Sequence, residues 1–219
     1  MWFKYFLPGG VTLAIAMTET RPKANVGTGR KRPKSRDNRR PQLLDSAARH
    51  FRLQGYEAAS MRDIAARAGM KAGSMYYYFP SKEDLLIAVH EEGIRRITSA
   101  VTKAITTYES PWERLRAAMS AHLDALLDGG DYAQVVIREL PRDKGPARQR
   151  LTGLRDDYET IFSDLAEALP LGSGMSRRYL RLMILGALNW SQSWYRPGGD
   201  TPDEIAAAFV MILKQGDIS

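Results

Sequence analysis

The chain has 219 residues, a length that allows one sizeable domain or two small ones. It carries 32 Lys and Arg against 25 Asp and Glu, a formal charge of +7, and 44% of its residues are hydrophobic. Because it contains no cysteine, the composition excludes a disulfide-stapled scaffold and an enzyme with a thiol nucleophile.

The positive charge lies at the amino-terminal end. Residues 1–40 hold 10 Lys and Arg against 2 Asp and Glu, a charge of +8, whereas residues 41–219 carry −1. The run Arg30-Lys-Arg-Pro-Lys34, followed by Arg36, Arg39 and Arg40, lies in a stretch rich in Pro, Gly, Thr and Asn that cannot build a core. We expect residues 1–35 to form a disordered basic arm, which either contacts an anionic partner or only aids solubility.

The first seventeen residues partly resemble a signal peptide. Trp2–Leu7 and Val11–Met17 are apolar, but Pro8-Gly9-Gly10 splits them and leaves about seven residues for the apolar region, the lower limit for such a peptide. Neither piece can span a bilayer. We therefore expect an over-extended start, with Met17 as the initiator, and a cytoplasmic protein.

The segment from Ser60 to Phe79 predicts two short helices around a tight turn. Ser60 and Asp63 can form a capping box, and Gly69 can adopt the positive φ that ends a helix. Met75 and Phe79 can point inward. The remaining polar side chains of the second helix supply hydroxyls for phosphates or base edges: Ser74, Tyr76, Tyr77 and Tyr78.

Two such helices are typical of a helix-turn-helix, which places its second helix in the DNA major groove. The alternative is an ordinary helical region, since capped helices, glycine turns and packed tyrosines occur in many proteins. If the segment reads DNA, the basic arm before it is expected to track phosphates or enter the minor groove.

Residues 39–89 resemble the amino-terminal domain of the TetR/AcrR family of transcriptional regulators. The resemblance rests on Arg-Arg-Pro-Gln-Leu-Leu-Asp-Ser-Ala-Ala-Arg-His-Phe51, on Gly55-Tyr56, on the segment from Ser60 to Phe79, and on Pro80-Ser-Lys-Glu-Asp-Leu-Leu86. It implies a first helix from Pro41 to about Gln54, a recognition helix from about Lys71 to Tyr78, and a fourth helix from Ser81 to about Thr106. The buried face of the first helix is expected to hold Leu43, Leu44, Ala47 and Phe51.

The resemblance also implies the residues that contact DNA. Ser60 is expected to meet a phosphate, Arg62 to read a base, and Lys82 to reach the backbone. The family often has lysine at Ala72 and histidine at Tyr78, so these two departures concern the choice of operator. The full set of expected DNA contacts is Ser60, Arg62, Lys71, Ala72, Gly73, Ser74, Tyr76, Tyr77, Tyr78 and Lys82.

The remainder of the chain predicts helices only. One opens at Ser110-Pro-Trp-Glu113 and ends at Asp128-Gly-Gly130, and a short apolar segment runs from Tyr132 to Leu140. Further helices are expected from about Pro146 to Leu169, from about Ser176 to Tyr195, and from Thr201 onward. The predicted fold is all-α, with about nine helices: a disordered arm over 1–35, a three-helix DNA-binding domain over 36–96, and a ligand-binding and dimerisation domain over 97–219.

The helix from about Ser176 to Tyr195 is apolar on more than one side and needs cover on several faces, and the last helix carries an apolar stripe. In the TetR family the corresponding pair packs against the same pair of a second subunit. The resemblance thus implies a C2 homodimer on a palindromic double-stranded operator. The alternative is that these faces serve an intramolecular core only.

The resemblance further implies a small-molecule pocket. Ligand binding there is expected to alter the spacing of the two DNA-binding heads. Gln134–Arg138 and Trp194–Gly199 are similar to a subgroup that controls lipid, steroid and acyl-CoA breakdown, so the effector is expected to be apolar or acyl-CoA-like, with Arg138, Arg142, Arg148 or Arg196 at its phosphates. For each lining residue the alternative is plain core packing. The expected lining is Trp112, Met119, Leu123, Leu126, Val136, Tyr158, Phe162, Met183, Asn189 and Trp190.

An enzyme is the contrasting hypothesis, and the residues argue against it. His50, His90 and His122 lie far apart with no metal-ligand spacing, and neither a phosphate loop nor a nucleophile elbow is present. We expect no catalytic residue, no metal, no cofactor and no membrane partner. The expected function is a ligand-responsive regulator, by family default a repressor; the alternative is a DNA-binding structural protein or ligand-independent regulator without a pocket.

Overall fold

A computed structural model describes residues 39–127, 130–139, 145–172 and 174–215. Within these residues the chain forms nine α-helices and no β-strand, which confirms the all-α prediction. No helix in this part of the chain is both long and apolar enough to cross a membrane. The helices are α1 Arg39–Gln54, α2 Met61–Arg67, α3 Ala72–Met75, α4 Lys82–Ile105, α5 Pro111–Leu127, α6 Asp131–Arg138, α7 Pro146–Glu167, α8 Arg177–Trp190 and α9 Pro202–Gln215.

The amino-terminal arm predicted over residues 1–35, with the signal-like segment inside it, lies outside the described residues. The same is true of Arg142, one of the arginines expected near an effector.

The helix ends follow the capping patterns of the sequence. Ser60 Oγ accepts from the Asp63 amide at 3.1 Å at the start of α2. Ser81 Oγ does the same for Asp84 at 3.0 Å at the start of α4. At the end of α2, Gly69 has φ +67° and the Met70 amide bonds to a carbonyl five residues back, as in a Schellman motif.

Two predicted helices are shorter than expected. The recognition helix predicted from Lys71 to Tyr78 is helical only over α3, because the amides of Tyr78 and Phe79 both bond to the Met75 carbonyl, at 2.9 and 3.0 Å, and close a tight turn. Pro80 also disfavours helical backbone at the residue before it. The helix predicted from Ser176 to Tyr195 ends at Trp190, and Ser191–Ser193 continue as a 3-10 turn.

Two hydrophobic cores hold the fold together. The first lies in what we call the head, α1 to α3 with the first half of α4; the second lies in the body, the second half of α4 with α5 and α7 to α9. The four predicted α1 positions are buried in the head core, which confirms that part of the interpretation. Tyr132 and Val135 of α6 also belong to the head core, so α6 joins the head to the body.

Candidate DNA-binding surface and effector cavity

The head presents one side of α2 and α3 to solvent. Tyr77 is 88% exposed and Tyr76 is 51% exposed. Met75 and Phe79 are buried, as predicted, and their packing holds α3 with its tyrosines outward. Other expected DNA contacts that are also exposed are Arg62, Lys71, Gly73 and Ser74.

Three further residues of the expected set are half-buried. The Ser60 hydroxyl accepts from the Asp63 amide and donates to Asp63 Oδ2 at 2.8 Å, so it closes the cap of α2. Tyr78 packs against the head core and meets the Tyr77 ring edge-to-face at 5.7 Å. Ala72 is half-buried at the start of α3.

Lys82 is engaged inside the head. Its Nζ donates to the carbonyl oxygens of Tyr56, Glu57 and Ala59 at 2.9, 3.0 and 3.3 Å. The same ammonium lies 4.5 Å from the centroid of the Tyr56 ring. Because a lysine has three donors, all of them are in use here. Sequence reasoning placed this side chain on the DNA backbone, whereas in the structure it fastens the loop before α2 to the start of α4.

A cavity of about 180 Å³ lies in the body between α4, α5, α6, α7 and α8. Four of the residues predicted to contact an effector line it: Leu126, Val136, Tyr158 and Asn189. The other lining residues are Gly93, Ile94, Ile97, His122, Ala133, Ile137, Arg155, Glu159 and Leu185.

The structure places the other predicted lining residues elsewhere. Met119, Leu123 and Phe162 are fully buried in the body core. The Trp112 ring stacks under the Lys214 ammonium, 5.4 Å from the centroid. Met183 and Trp190 point outward, because α8 packs on the body through its opposite side, Leu180, Ile184, Leu185 and Leu188.

Three polar residues of the cavity wall, His122, Arg155 and Glu159, were missed by sequence reasoning. His122 lies three residues after Met119 and four before Leu126, so helical spacing already put a polar ring on the apolar face of α5. Arg155 and Glu159 occupy successive turns of α7, and Glu159 forms an ion pair with Arg181. Within the described residues we find no group of three His, Asp or Glu side chains able to hold a metal ion.

The short helix α6 has one face in the cavity and one on the head. Ala133, Val136 and Ile137 line the cavity, whereas Tyr132 and Val135 are buried in the head core. The wall of the cavity and the packing surface on the head therefore share one helix of eight residues.

Polar contacts fix the head side of α6. Tyr132 donates from its hydroxyl to Asp45 Oδ1 at 2.8 Å, and the Tyr56 amide donates to Glu139 Oε2 at 3.1 Å. Arg52 of α1 forms an ion pair with Asp131. His90 of α4 donates from Nε2 to the Glu139 carbonyl at 2.8 Å. Each contact links α6 or its end to the head.

His90 and Tyr132 are both perturbed by burial at this junction. Burial lowers the pKa of His90 to about 4, a shift that the Glu139 carbonyl opposes and nearby Arg155 supports. Burial, with the Asp45 carboxylate, raises the pKa of Tyr132. A neutral imidazole and a protonated phenol are consequently the forms that make these hydrogen bonds near neutral pH.

Comparison with known proteins identifies the two parts of the chain. Residues 43–89 match the family described as "Bacterial regulatory proteins, tetR family", and residues 108–216 match "Tetracyclin repressor-like, C-terminal domain". The HTH-type transcriptional activator FasR of Mycolicibacterium smegmatis is 40% identical over 187 residues, which cover 84% of this chain and 83% of that protein. This chain belongs to the TetR family of transcriptional regulators.

Two other relatives bear on what this TetR-family chain does. The HTH-type transcriptional repressor KstR2 of Mycolicibacterium smegmatis is 34% identical over 198 residues, covering 84% of this chain and 93% of that protein. A crystal structure of AibR in complex with isovaleryl coenzyme A and operator DNA superposes with a TM-score of 0.71 at 25% identity, covering 80% of this chain and 97% of that one. FasR is named as a transcriptional activator and KstR2 as a transcriptional repressor, so the similar proteins include regulators of both signs.

Proposed function

We propose that this TetR-family chain binds a palindromic operator as a homodimer and releases it when a small apolar effector, with acyl-CoA thioesters as the first candidate class, enters the cavity of the body. The observation that carries this proposal is the two-sided packing of α6 between that cavity and the head. Repression is our expectation for the sign of regulation.

The DNA side of the proposal rests on exposure and chemistry. The guanidinium of Arg62 is exposed on α2 and can donate two parallel hydrogen bonds to a guanine edge. Tyr76, Tyr77 and Ser74 are exposed hydroxyl groups around α3, suited to phosphates and groove walls. Lys71 adds an exposed charge just before α3. The surface is thus able both to position the head on DNA and to read bases.

The effector side of the proposal rests on geometry. Any ligand that fills the cavity touches Ala133, Val136 or Ile137, whose helix carries Tyr132 and Val135 into the head core. A ligand shifts the head only if it binds one position of α6 better than another. In one such position of α6 the polar contacts with the head would be intact, and in the other they would be broken.

An acyl-CoA suits the chemistry of the wall. Most of the lining is aliphatic, and Arg155 brings a guanidinium to it, which suits an acyl chain with an anionic group attached. The complex of the similar AibR with isovaleryl coenzyme A supports the same class. Of the arginines named from the sequence, Arg138 and Arg196 are exposed and Arg148 is half-buried, and Arg138 donates to Gln192 at 3.1 Å.

The homodimer rests on an apolar stripe that a single chain leaves open. On α8 the stripe comprises Tyr179, Met183, Gly186 and Trp190, of which Met183 is 55% and Trp190 is 69% exposed. A Cβ added at Gly186 meets no atom within 4 Å, so a second helix can approach closely there. On α9 the exposed small and apolar residues are Ala208, Met211 and Ile212.

Operator binding is tested by selecting bound duplexes from a random pool and footprinting the protein on the winning sequence. We expect an inverted repeat. Arg62→Ala is expected to weaken binding by about ten-fold or more and to relax the preference at one position of each half-site. Lys103→Ala, which removes one exposed charge from the body end of α4, is the matched control and is expected to leave the footprint unchanged. Binding without sequence preference would contradict the proposal.

Effector binding is tested by thermal shift with acyl-CoAs of increasing chain length, followed by release of labelled operator. A ligand that binds only the folded state raises the melting temperature. We expect the acyl-CoA that raises it most to release the operator at the lowest concentration. If no member of the panel raises it while operator binding is intact, acyl-CoAs are excluded as effectors and the ligand-independent alternative gains support.

The dimer is tested by sedimentation of the wild type and of Met183→Glu and Trp190→Glu. Both substitutions place a charge in the α8 stripe, and we expect monomers that no longer protect both half-sites. Leu53→Glu is the control, because Leu53 is 58% exposed on α1 and lies far along the chain from that stripe. A wild type that sediments as a monomer on and off DNA would refute the dimer.

A further inference from the structure

One arginine interrupts the buried face of α7. Leu151 and Tyr158 are buried, and Arg155 lies between them at the spacing of three and four residues that places side chains on one side of a helix. The acidic residues beside it, Asp156 and Asp157, are exposed. Arg155 is half-buried instead and lines the cavity of the body.

The charge of Arg155 has no partner in the described part of the chain. Glu159 is the single acidic residue among the described residues of the cavity wall, and it forms its ion pair with Arg181. Arg155 itself makes no hydrogen bond or ion pair with a described residue. The pKa of His90 is lowered mainly by burial and further by the charge of Arg155, so this charge acts on the junction of α4 and α6.

An unpaired guanidinium in such a wall favours an anionic ligand. Most of the remaining wall is aliphatic, including Ile94, Val136 and Leu185. An arginine keeps its charge at every physiological pH, and withdrawing that charge from water is costly unless a partner replaces the water. A neutral ligand that fills the cavity supplies no such partner. A carboxylate or a phosphate does, through two parallel hydrogen bonds that are stronger in apolar surroundings than in water.

We propose that Arg155 is the anion-binding residue of the effector cavity, which therefore takes apolar ligands that carry a carboxylate or a phosphate and rejects neutral ligands with the same hydrocarbon part. The inference rests on the proposed effector function and adds the charge of the ligand and the residue that selects it. The anion has two sources, the carboxylate of a free acid and a phosphate of the coenzyme A part of a thioester.

The test uses two pairs of probes that are matched in their hydrocarbon part. Hexanoate and hexanamide differ in a carboxylate, whereas S-hexanoylphosphopantetheine and S-hexanoylpantetheine differ in a phosphate. A cavity of about 150 Å³ accepts a benzene-sized ligand, so one of about 180 Å³ accepts a six-carbon chain. By titration calorimetry we expect the wild type to bind the anionic member of at least one pair about ten-fold more tightly than the neutral member, and that pair identifies the source of the anion.

Three variants separate the charge of Arg155 from a structural role. We expect Arg155→Gln to bind both members of each pair within about two-fold of each other, and Arg155→Lys to keep part of the discrimination. Arg114→Gln is the matched control, because Arg114 is a half-buried arginine of α5 that does not line the cavity, and it should discriminate like the wild type. Without ligand, the melting temperature of Arg155→Gln is expected to equal or exceed that of the wild type, whereas loss of a structural arginine would lower it.

Hexanoyl-CoA, titrated alongside, distinguishes this inference from the proposal beneath it. Equal affinity of the wild type for both members of both pairs, or full discrimination in Arg155→Gln, overturns the role of Arg155, and binding of hexanoyl-CoA then leaves the acyl-CoA effector standing. A wild type that discriminates hexanoate from hexanamide but binds no thioester keeps the role of Arg155 and overturns the acyl-CoA effector. Failure to bind any of the five probes overturns both.

Discussion

The Tyr132 hydroxyl donates to Asp45 Oδ1 across 2.8 Å, and this bond ties α6 to the first helix of the head. Arg96 lies over the Tyr132 ring at 4.1 Å and reaches Asp45 at 3.6 Å, so the pair is enclosed by a cation. A displacement of α6 away from α1 would stretch this bond. Under the proposed function, the bond therefore opposes a displacement of α6 by an effector.

Tyr132→Phe removes the hydrogen bond and keeps the ring. We expect it to lower the free energy of unfolding by about 1 kcal/mol. Because the bond favours one position of α6, its loss is also expected to change the effector concentration that releases half of the operator, while the Arg62 surface stays intact. Fluorescence anisotropy of labelled operator during effector titration measures that concentration.

Tyr108→Phe serves as the control for this change, since Tyr108 is half-buried in the loop between α4 and α5. It is expected to leave the release midpoint where the wild type has it. A midpoint that moves equally in both variants would show that the Tyr132 hydroxyl has no special part in coupling.

Gly93 permits the close approach of α4 and α6. A Cβ placed there would lie 2.7 Å from Val136 Cγ2 and 3.3 Å from the Tyr132 carbonyl oxygen. Gly93→Ala is expected to lower the free energy of unfolding by about 1–3 kcal/mol, although Ala normally favours a helix over Gly. It is also expected to weaken operator binding without effector, because it pushes α6 from its place on the head.

Gly153 provides the comparison, because it lies in α7 and a Cβ there meets no atom within 4 Å. Gly153→Ala is expected to raise the free energy of unfolding by about 0.5–1 kcal/mol. Urea unfolding curves measure both changes. Two stabilised variants would mean that the contact at Gly93 relaxes at no cost.

Removing the charge of Lys82 is expected to lower stability, whereas removing the charge of Lys71 is expected to weaken operator binding. Lys82→Met removes three hydrogen bonds inside the head and is expected to lower the free energy of unfolding by about 2 kcal/mol. Lys71→Met removes an exposed charge and is expected to leave stability unchanged. It should instead reduce the slope of log operator affinity against log salt by about one.

Denaturant curves and a salt series of anisotropy titrations, carried out on both variants, separate these effects. Should Lys82→Met lower the salt slope at full stability, the result would support the DNA-backbone contact expected from the sequence.

Acid is expected to destabilise the protein through its two buried histidines. The pKa of both His90 and His122 is lowered from 6.5 to about 4 by burial, so in the folded chain both stay neutral down to about pH 4. In the unfolded chain they bind protons near pH 6.5. The unfolded state thus binds more protons in this window, and stability falls as the pH drops from about 6.5 toward 4.

The expected loss between pH 7 and pH 5 is about 2 kcal/mol per histidine. Glu92 adds a separate loss of stability at lower pH. Its pKa is lowered to about 2, mainly by the hydrogen bonds from Arg95, so measurements above pH 5 avoid this loss. Unfolding curves of His90→Gln and His122→Gln are expected to show a shallower dependence on pH than the wild type. Curves that superimpose on the wild type would contradict the assignment.

Most helix ends could be predicted because local chemistry determines them. Ser60, Ser81 and Gly69 act through atoms within a few residues along the chain, so a capping pattern is sufficient to place them. The α1 core face was equally accessible, because a 3.6-residue repeat of apolar residues identifies it. The end of α3 could not be predicted, because Tyr76–Tyr78 do not favour a turn locally. The hydrogen bonds to the Met75 carbonyl end this helix.

The cavity was harder to predict, for a physical reason. An apolar residue on a helix can face a core, a cavity or a partner, and periodicity does not distinguish these three surroundings. Met183 and Trp190 illustrate the ambiguity: their α8 has two apolar sides, and packing of the side that carries Leu185 left them outside. His122 was missed because we weighed histidines only as metal ligands and catalysts, not as buried polar side chains in the wall of a cavity.

The open stripe on α8 also links function to the amount of protein in the cell. Under the proposed dimer, folded chains gain stability from pairing, so their melting temperature rises with concentration. A dilute chain would expose Met183 and Trp190 to water and to other partners. Operator occupancy would then fall more steeply than the total protein concentration. The regulated genes would therefore respond sharply to the abundance of the regulator.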